Sequence, residues 1–239
     1  MGKAKVRLSA FDPTVNTDTK RTAIGSKGSI GSRTWNQAAT AGQPTHKGLG
    51  VNSQLAGFVT SLNFDGSNDS LVLSGAEEMN FGEAWFWVFA FVDLDTSADR
   101  VLAYSSDAGG YIGIASGGNG IIYRSNSSKG SESIIATNNT DASSVSHTFG
   151  NDVEVLMMTR NASSNNLLFY NIDGDLIANA NPAGGGSTWN LDTIGIRDSF
   201  NAPFSGQILD ARFYNGSDCP PVTNLSLQGI GNRYKQYKD

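Results

Sequence analysis

Apolar and polar positions alternate through most of this chain, in short runs broken every few residues by Gly, Ser and Asn. A period of two puts successive side chains on opposite faces of a strand, and frequent turn residues keep the strands short. The pattern predicts strands at 6–11, 59–64, 70–73, 84–93, 100–104, 111–115, 120–124, 133–137, 153–160, 167–172, 176–178, 193–197 and 206–214. Over 206–214, Ile208, Asp210, Arg212 and Tyr214 fall on one face and Leu209, Ala211 and Phe213 on the other, as in a half-buried strand. The run 84–93 is apolar on both faces, Trp85, Trp87, Phe89 and Phe91 opposite Phe86, Val88 and Val92, so it belongs mid-sheet with both sides covered. Asp173-Gly174, between two runs, signals a tight hairpin.

Two stretches break the pattern. Residues 12–58 are polar, Gly-rich and without sustained period, and nearly fifty such residues are long for a loop. Residues 1–58 are therefore expected to form an irregular N-terminal arm, packed on the sandwich or on a partner, ahead of a β-sandwich at 59–239. After Pro221 the chain favours a short helix, weakened by Gly229 and Gly231.

Composition narrows the setting. A chain of 239 residues suits one large β domain that folds without staples, and its single cysteine, Cys219, excludes an internal disulfide. The leading residues lack the apolar core of a signal peptide, and no run has the roughly 18 apolar residues of a membrane span. Synthesis in a cytoplasm and no membrane partner are the expectation. Residues 1–60 hold eight Lys or Arg against two Asp, while 61–239 hold nine against twenty Asp or Glu, so a segment of +6 leads a body of −11. Lys3, Lys5, Arg7, Lys20 and Arg21 are candidate contacts to an acidic partner, a second copy included; the competing reading is solvated surface cations. An acidic body disfavours nucleic acid.

Residues 62–74, LNFDGSNDSLVLS, resemble the F-D-G-x-x-D-x-aliphatic hairpin of laminin-G-like domains, within the concanavalin A-like lectin/glucanase superfamily. Further segments resemble that group in the same order: the Trp35 and Gln43-Pro44-Thr45 region upstream, AWFWVFAFVD at 84–93, the pair ending in Asn171-Ile172-Asp173-Gly174, and TIGIRDSFNAPFSGQILDARFYN at 193–215. The resemblance covers about 35–215 and implies an all-β jelly-roll sandwich of two curved antiparallel sheets. It also implies a non-enzymatic bacteriophage virion protein, a capsid decoration or knob-type protein in multiple copies, anchored to capsid or other virion proteins through its N-terminal segment. The alternative is a carbohydrate-binding adhesin that grips a host glycan; a glycoside hydrolase comes third.

Candidate chemistry is sparse. Laminarinase-type relatives within that superfamily carry E-x-D-x-E on one strand, where period two aligns three carboxylates. The nearest approach here, Asp152-Val153-Glu154-Val155-Leu156, lacks the third. His46 and His147 are the only histidines, too few for a multi-His zinc site, and Cys219 has no cation or His beside it in sequence. No cofactor is required. The resemblance implies a structural calcium held by Asp210 and the carbonyl of Gly66; alternatively Asp65 and Asp69 cap their own turn and Asp210 pairs with a nearby Arg. Tyr111, Tyr123 and Trp189, beside Gly- and Ser-rich turns, are the candidate sugar-stacking aromatics, against the competing reading of core packing.

Overall fold

The computed structural model describes residues 6–9, 19–20, 23–25, 34–36, 43–47, 61–80, 84–105, 110–124, 133–137, 144–160, 166–180, 188–196, 202–235 and 237. The leading stretch supplies β1 (Val6–Ser9), β2 (Thr19–Lys20), β3 (Ala23–Gly25), β4 (Thr34–Asn36) and β5 (Thr45–Lys47). There follow β6 (Ser61–Asp65), β7 (Leu71–Asn80), β8 (Trp85–Val92), β9 (Arg100–Tyr104), β10 (Tyr111–Ile114), β11 (Gly120–Arg124) and β12 (Ser133–Ala136). The last third holds β13 (Glu154–Arg160), β14 (Leu167–Tyr170), β15 (Leu176–Ala180), β16 (Thr188–Ile194), β17 (Ser205–Asn215) and one helix, α1 (Asn224–Lys235).

These strands form two antiparallel sheets. One runs β15-β14-β13-β8-β17-β6-β5-β2, and the other β12-β11-β10-β9-β16-β7-β4-β3. In the first sheet β8 lines one side of β17; on its other side β6 takes residues 205–208 and β1 takes 210–213. The strands of the leading stretch thus complete the sheets: β1 beside β17, β5 beside β6, and β4, carrying β3, beside β7. Sequence periodicity missed β2 to β5 because each is only two or three residues long, too short to show a period.

The doubly apolar β8 is mid-sheet, between β13 and β17. Its Trp85, Trp87, Phe89 and Phe91 enter the core between the sheets, where Trp87 and Phe89 meet Phe213 edge-on at 5.2 and 5.4 Å. Its Phe86, Val88, Ala90 and Val92 form a second core under α1 with Val155, Met157 and Leu209. Thr223 caps the helix, its hydroxyl accepting from the Ser226 N–H at 3.3 Å, so α1 begins just after Thr223, close behind Pro221 as expected. Leu227, Ile230, Gly231 and Tyr234 then form the buried stripe at helical spacing.

One expectation is corrected in β17. Its register against β8 slips between Ile208 and Asp210, a bulge that absorbs one residue. Ile208 therefore joins Ala211 and Phe213 in the inter-sheet core, and Leu209 goes to the helix side with Tyr214. Strict alternation placed Ile208 and Leu209 on the opposite faces; a one-residue insertion reverses them.

Candidate functional site

Residues 65–70, expected to turn a hairpin, instead carry the chain from β6 in the first sheet to β7 in the second, because each strand pairs with other partners, and the turn is held by its own carboxylates. The Asp65 N–H donates to Asp69 Oδ2 and the Ser67 N–H donates to Asp65 Oδ1, each at 2.8 Å. Gly66 has φ +77°, and a Cβ there would fall 2.8 Å from the Ser205 Cβ, so only glycine fits. Asp210 is fully buried on β17. Its Oδ2 accepts from Arg212 Nε at 2.9 Å and Nη2 at 2.6 Å, and from the Tyr234 hydroxyl at 3.0 Å. Arg212 stays charged: the Asp210 carboxylate more than offsets the burial that opposes it. Gly66 packs on Ser205, five residues before Asp210, about 15 Å away along the strand. The two residues assigned to a calcium ion do not meet, and they do not fit one shared ion.

The expected aromatics are not displayed together. Tyr111 is 2% exposed and packs with Val101, Tyr104, Ala115 and Ile122 on the outer face of the second sheet. Tyr123 is 4% exposed and belongs to the inter-sheet core. Burial pushes its phenol far above the ordinary value, with the Arg160 charge opposing only in part. Both rings are interior, as the core-packing reading has it. Trp189 lies in β16 opposite Met79, and its side chain is outside the described residues. Of the cationic candidates, Arg7 pairs with Arg212 and Lys20 with Thr45 in strand register; their side chains, and Lys3, Lys5 and Arg21 altogether, lie outside the described residues.

Glu154 comes nearest to a catalytic carboxylate, and the fold commits it elsewhere. With Leu156 and Met158 it shares the inner face of β13, and its register partner is Phe91. The residue is 5% exposed, with Oε2 lying 3.2 Å from His147 Nε2, within ion-pair reach but out of line for a hydrogen bond. Sequence reading missed this pair because His147 belongs to no periodic run.

Exposed polar groups also gather on a hydrogen-bonded frame at the end of the sandwich where four loops meet. Asp93 N–H donates to Asn151 O (3.0 Å), Asp95 N–H to Ser205 O (3.0 Å), Gly117 N–H to Thr96 O (2.8 Å) and Phe149 N–H to Gly118 O (2.8 Å). Arg100, 7% exposed, ties the loops from beneath. Its Nε donates to Asp95 O at 2.7 Å, Nη1 to Pro203 O at 3.3 Å, and Nη2 pairs with the Asp95 carboxylate. The Ser97 N–H, then the Ser97 hydroxyl, hold Asp95 below the ordinary carboxylate value, and Arg100 adds to this. Asp95, Ser97, Ser116, Asn119, Asn151 and Asp152 are exposed on this cross-tied frame. Such a surface offers hydrogen bonds of fixed direction and carries no assembled nucleophile–base pair among the described residues.

No protein-family model matches the chain, and no curated protein matches it. Solved structures do share its fold. The chain superposes over 98% of its length on the binding domain of Paraclostridial Mosquitocidal Protein 1, with TM-score 0.59 and 13% identity. It superposes over 96% on the botulinum neurotoxin serotype G binding domain, with TM-score 0.54 and 10% identity, and over 97% on the HCR/D F1240A mutant, with TM-score 0.59 and 11% identity. It spans about half the length of each. At these identities the likeness is one of fold: a jelly-roll β-sandwich of two antiparallel sheets.

Proposed function

We propose that this chain is a recognition module that binds a surface receptor, with carbohydrate as the favoured ligand class, and performs no chemistry on it. The observation that carries the reading is the superposition of nearly the whole chain on about half of two toxin domains described as binding domains. The site geometry supports it. Glu154 faces His147 inside the fold, and the exposed polar groups are gathered on loops held rigid by hydrogen bonds and by Arg100. Rigid loops lower the ordering cost of binding, and hydroxyl, amide and carboxylate groups suit a polyhydroxylated ligand. The candidate surface is therefore the Asp95, Asn119 and Asn151 loop end, rather than Tyr111 or Tyr123.

A panel of immobilised glycans, together with intact cells, tests this. Saturable binding without release of a cleaved product is the expected result. Hydrolysis that Glu154→Gln abolishes would replace the reading with a glycosidase, and absence of binding to every glycan and cell type would reject it.

A second reading within the same class puts the module on a bacteriophage particle, anchored through its basic leading segment. It draws on the sequence resemblance and on the +6 and −11 charge asymmetry, and the fold comparisons favour the first reading. Immunogold labelling of purified particles decides it: regular label supports the virion role, and bare intact particles exclude it.

A further inference from the structure

Successive strands from β6 onward run in opposite directions, so alternate connections fall at the same end of the sandwich. Register fixes one end: Asp65 pairs with Ser205, Phe91 with Glu154, and Ile114 with both Arg100 and Ile121. The connections there are 65–70, 93–99, 115–119, 137–153, 171–175 and 195–204, and they include the loops of the candidate surface. In sequence they hold ten Asp and a single cation, Arg197. The connections at the opposite end, 81–84, 105–110, 125–132, 161–166 and 181–187, hold three acidic residues and one Lys. Half of the twenty acidic residues of 61–239 are thus gathered at the end that displays Ser97, Ser116, Asn119 and Asn151.

The neighbouring cations do not reverse this balance. Arg100 is 7% exposed and committed, Nε to the Asp95 carbonyl, Nη1 to the Pro203 carbonyl and Nη2 to the Asp95 carboxylate. Lys235 pairs with Asp173 at 2.8 Å. β2, which carries Lys20, lies four strands from β8, about 19 Å at the usual strand spacing. That is beyond the roughly 8 Å over which an exposed charge acts at physiological salt. An acidic ligand docking here would give up water around its own charge and meet like charge. Among the described residues of these connections there is no guanidinium or ammonium to receive it. A neutral sugar meets no such penalty, since hydroxyl and amide side chains both donate to and accept from its hydroxyls.

We propose that the loop end takes uncharged glycans and excludes acidic ones, with Asp99 and Asp152 among the groups that set this specificity. Asp152 is exposed beside Asn151, and Asp99 is half-exposed with its Oδ1 accepting from the Ser116 N–H at 2.8 Å, so both stand within the frame. The inference rests on the binding-module reading and narrows its ligand class. The carboxylates set what the surface refuses rather than what it holds, and discrimination by repulsion is as effective as discrimination by attraction.

The test titrates the full chain against immobilised neutral oligosaccharides and their carboxylated and sulfated counterparts, each pair alike but for the acidic group. Neutral members are expected to bind roughly tenfold more tightly at about 0.05 M salt, and the gap should narrow as salt rises to about 0.5 M and screens the charge. Asp99→Asn and Asp152→Asn each keep an acceptor oxygen and remove the charge. Each should raise the ratio of acidic to neutral binding about two- to threefold. A general loss of binding does not move that ratio, and the salt series on the wild type does not depend on the variants folding. Equal or tighter binding of the acidic members overturns the exclusion and leaves the binding-module reading standing. A gap that neither salt nor either variant changes is set by shape, which overturns the electrostatic role. Binding of no glycan at all removes the binding-module reading, and this inference with it.

Discussion

Cys219 shows how a residue's surroundings decide its chemistry. Its Sγ donates to the Ala84 carbonyl at 3.5 Å, and burial first, then the Asp218 charge, pushes the thiol up to about 11 from 9.0. Only the thiolate is a nucleophile, so the reactive fraction near pH 8 is about 100-fold lower than for an exposed thiol. Alkylation with iodoacetamide, followed by mass spectrometry, should run about 100-fold slower in the folded chain than after unfolding. It should gain about tenfold per pH unit up to the raised value; equal rates in both states would refute the burial argument. The sequence places no cation or His beside Cys219, while the burial that raises its thiol comes from the fold. Asp210 was legible in part. Arg212 lies two positions on, where a same-face pairing is visible, whereas Tyr234, 24 residues away, is brought there only by the return of α1.

The helix is the element on which a sequence rule gives opposite answers at two neighbouring positions. Gly229 and Gly231 each weaken α1 by propensity alone. In place, a Cβ at Gly229 meets nothing within 4 Å, while one at Gly231 would fall 1.8 Å from the Ile172 carbonyl oxygen. Gly229→Ala should therefore stabilise by about 0.5–1 kcal/mol, and Gly231→Ala should destabilise by about 1–3 kcal/mol as the helix is forced off the β14–β15 hairpin. Urea unfolding of the two variants checks both signs, and a shared sign would show that propensity or packing alone governs the site. The bulge in β17 teaches the same lesson. Alternation was readable, but the slip at Leu209 arises from pairing with β8 and leaves no mark in β17's own composition.

At the scale of the molecule, α1 is a wall of the second core. Phe86, Val88, Ala90, Val92, Val155, Met157 and Leu209 lie beneath it, against Leu227, Ile230 and Tyr234. A chain ending before Asn224 would leave that contiguous apolar face bare, more than a soluble domain ordinarily exposes. Such a truncation should aggregate or bind a hydrophobic dye strongly; a monomer with an undiminished cooperative melt would show that α1 is dispensable. The sequence by itself determined the all-β class, most strand positions, the doubly covered β8 and the short terminal helix. Those follow from local period and turn chemistry, which act over a few residues. Only the tertiary structure decided that Tyr111 and Tyr123 are interior, that Asp210 answers Arg212 and Tyr234 rather than Gly66, that the brief strands of the leading stretch complete both sheets, and that His147 meets Glu154. Each of these depends on which segments become neighbours in space, and pairing across tens to hundreds of residues is set by the closing of the sheets, not by any pattern along the chain.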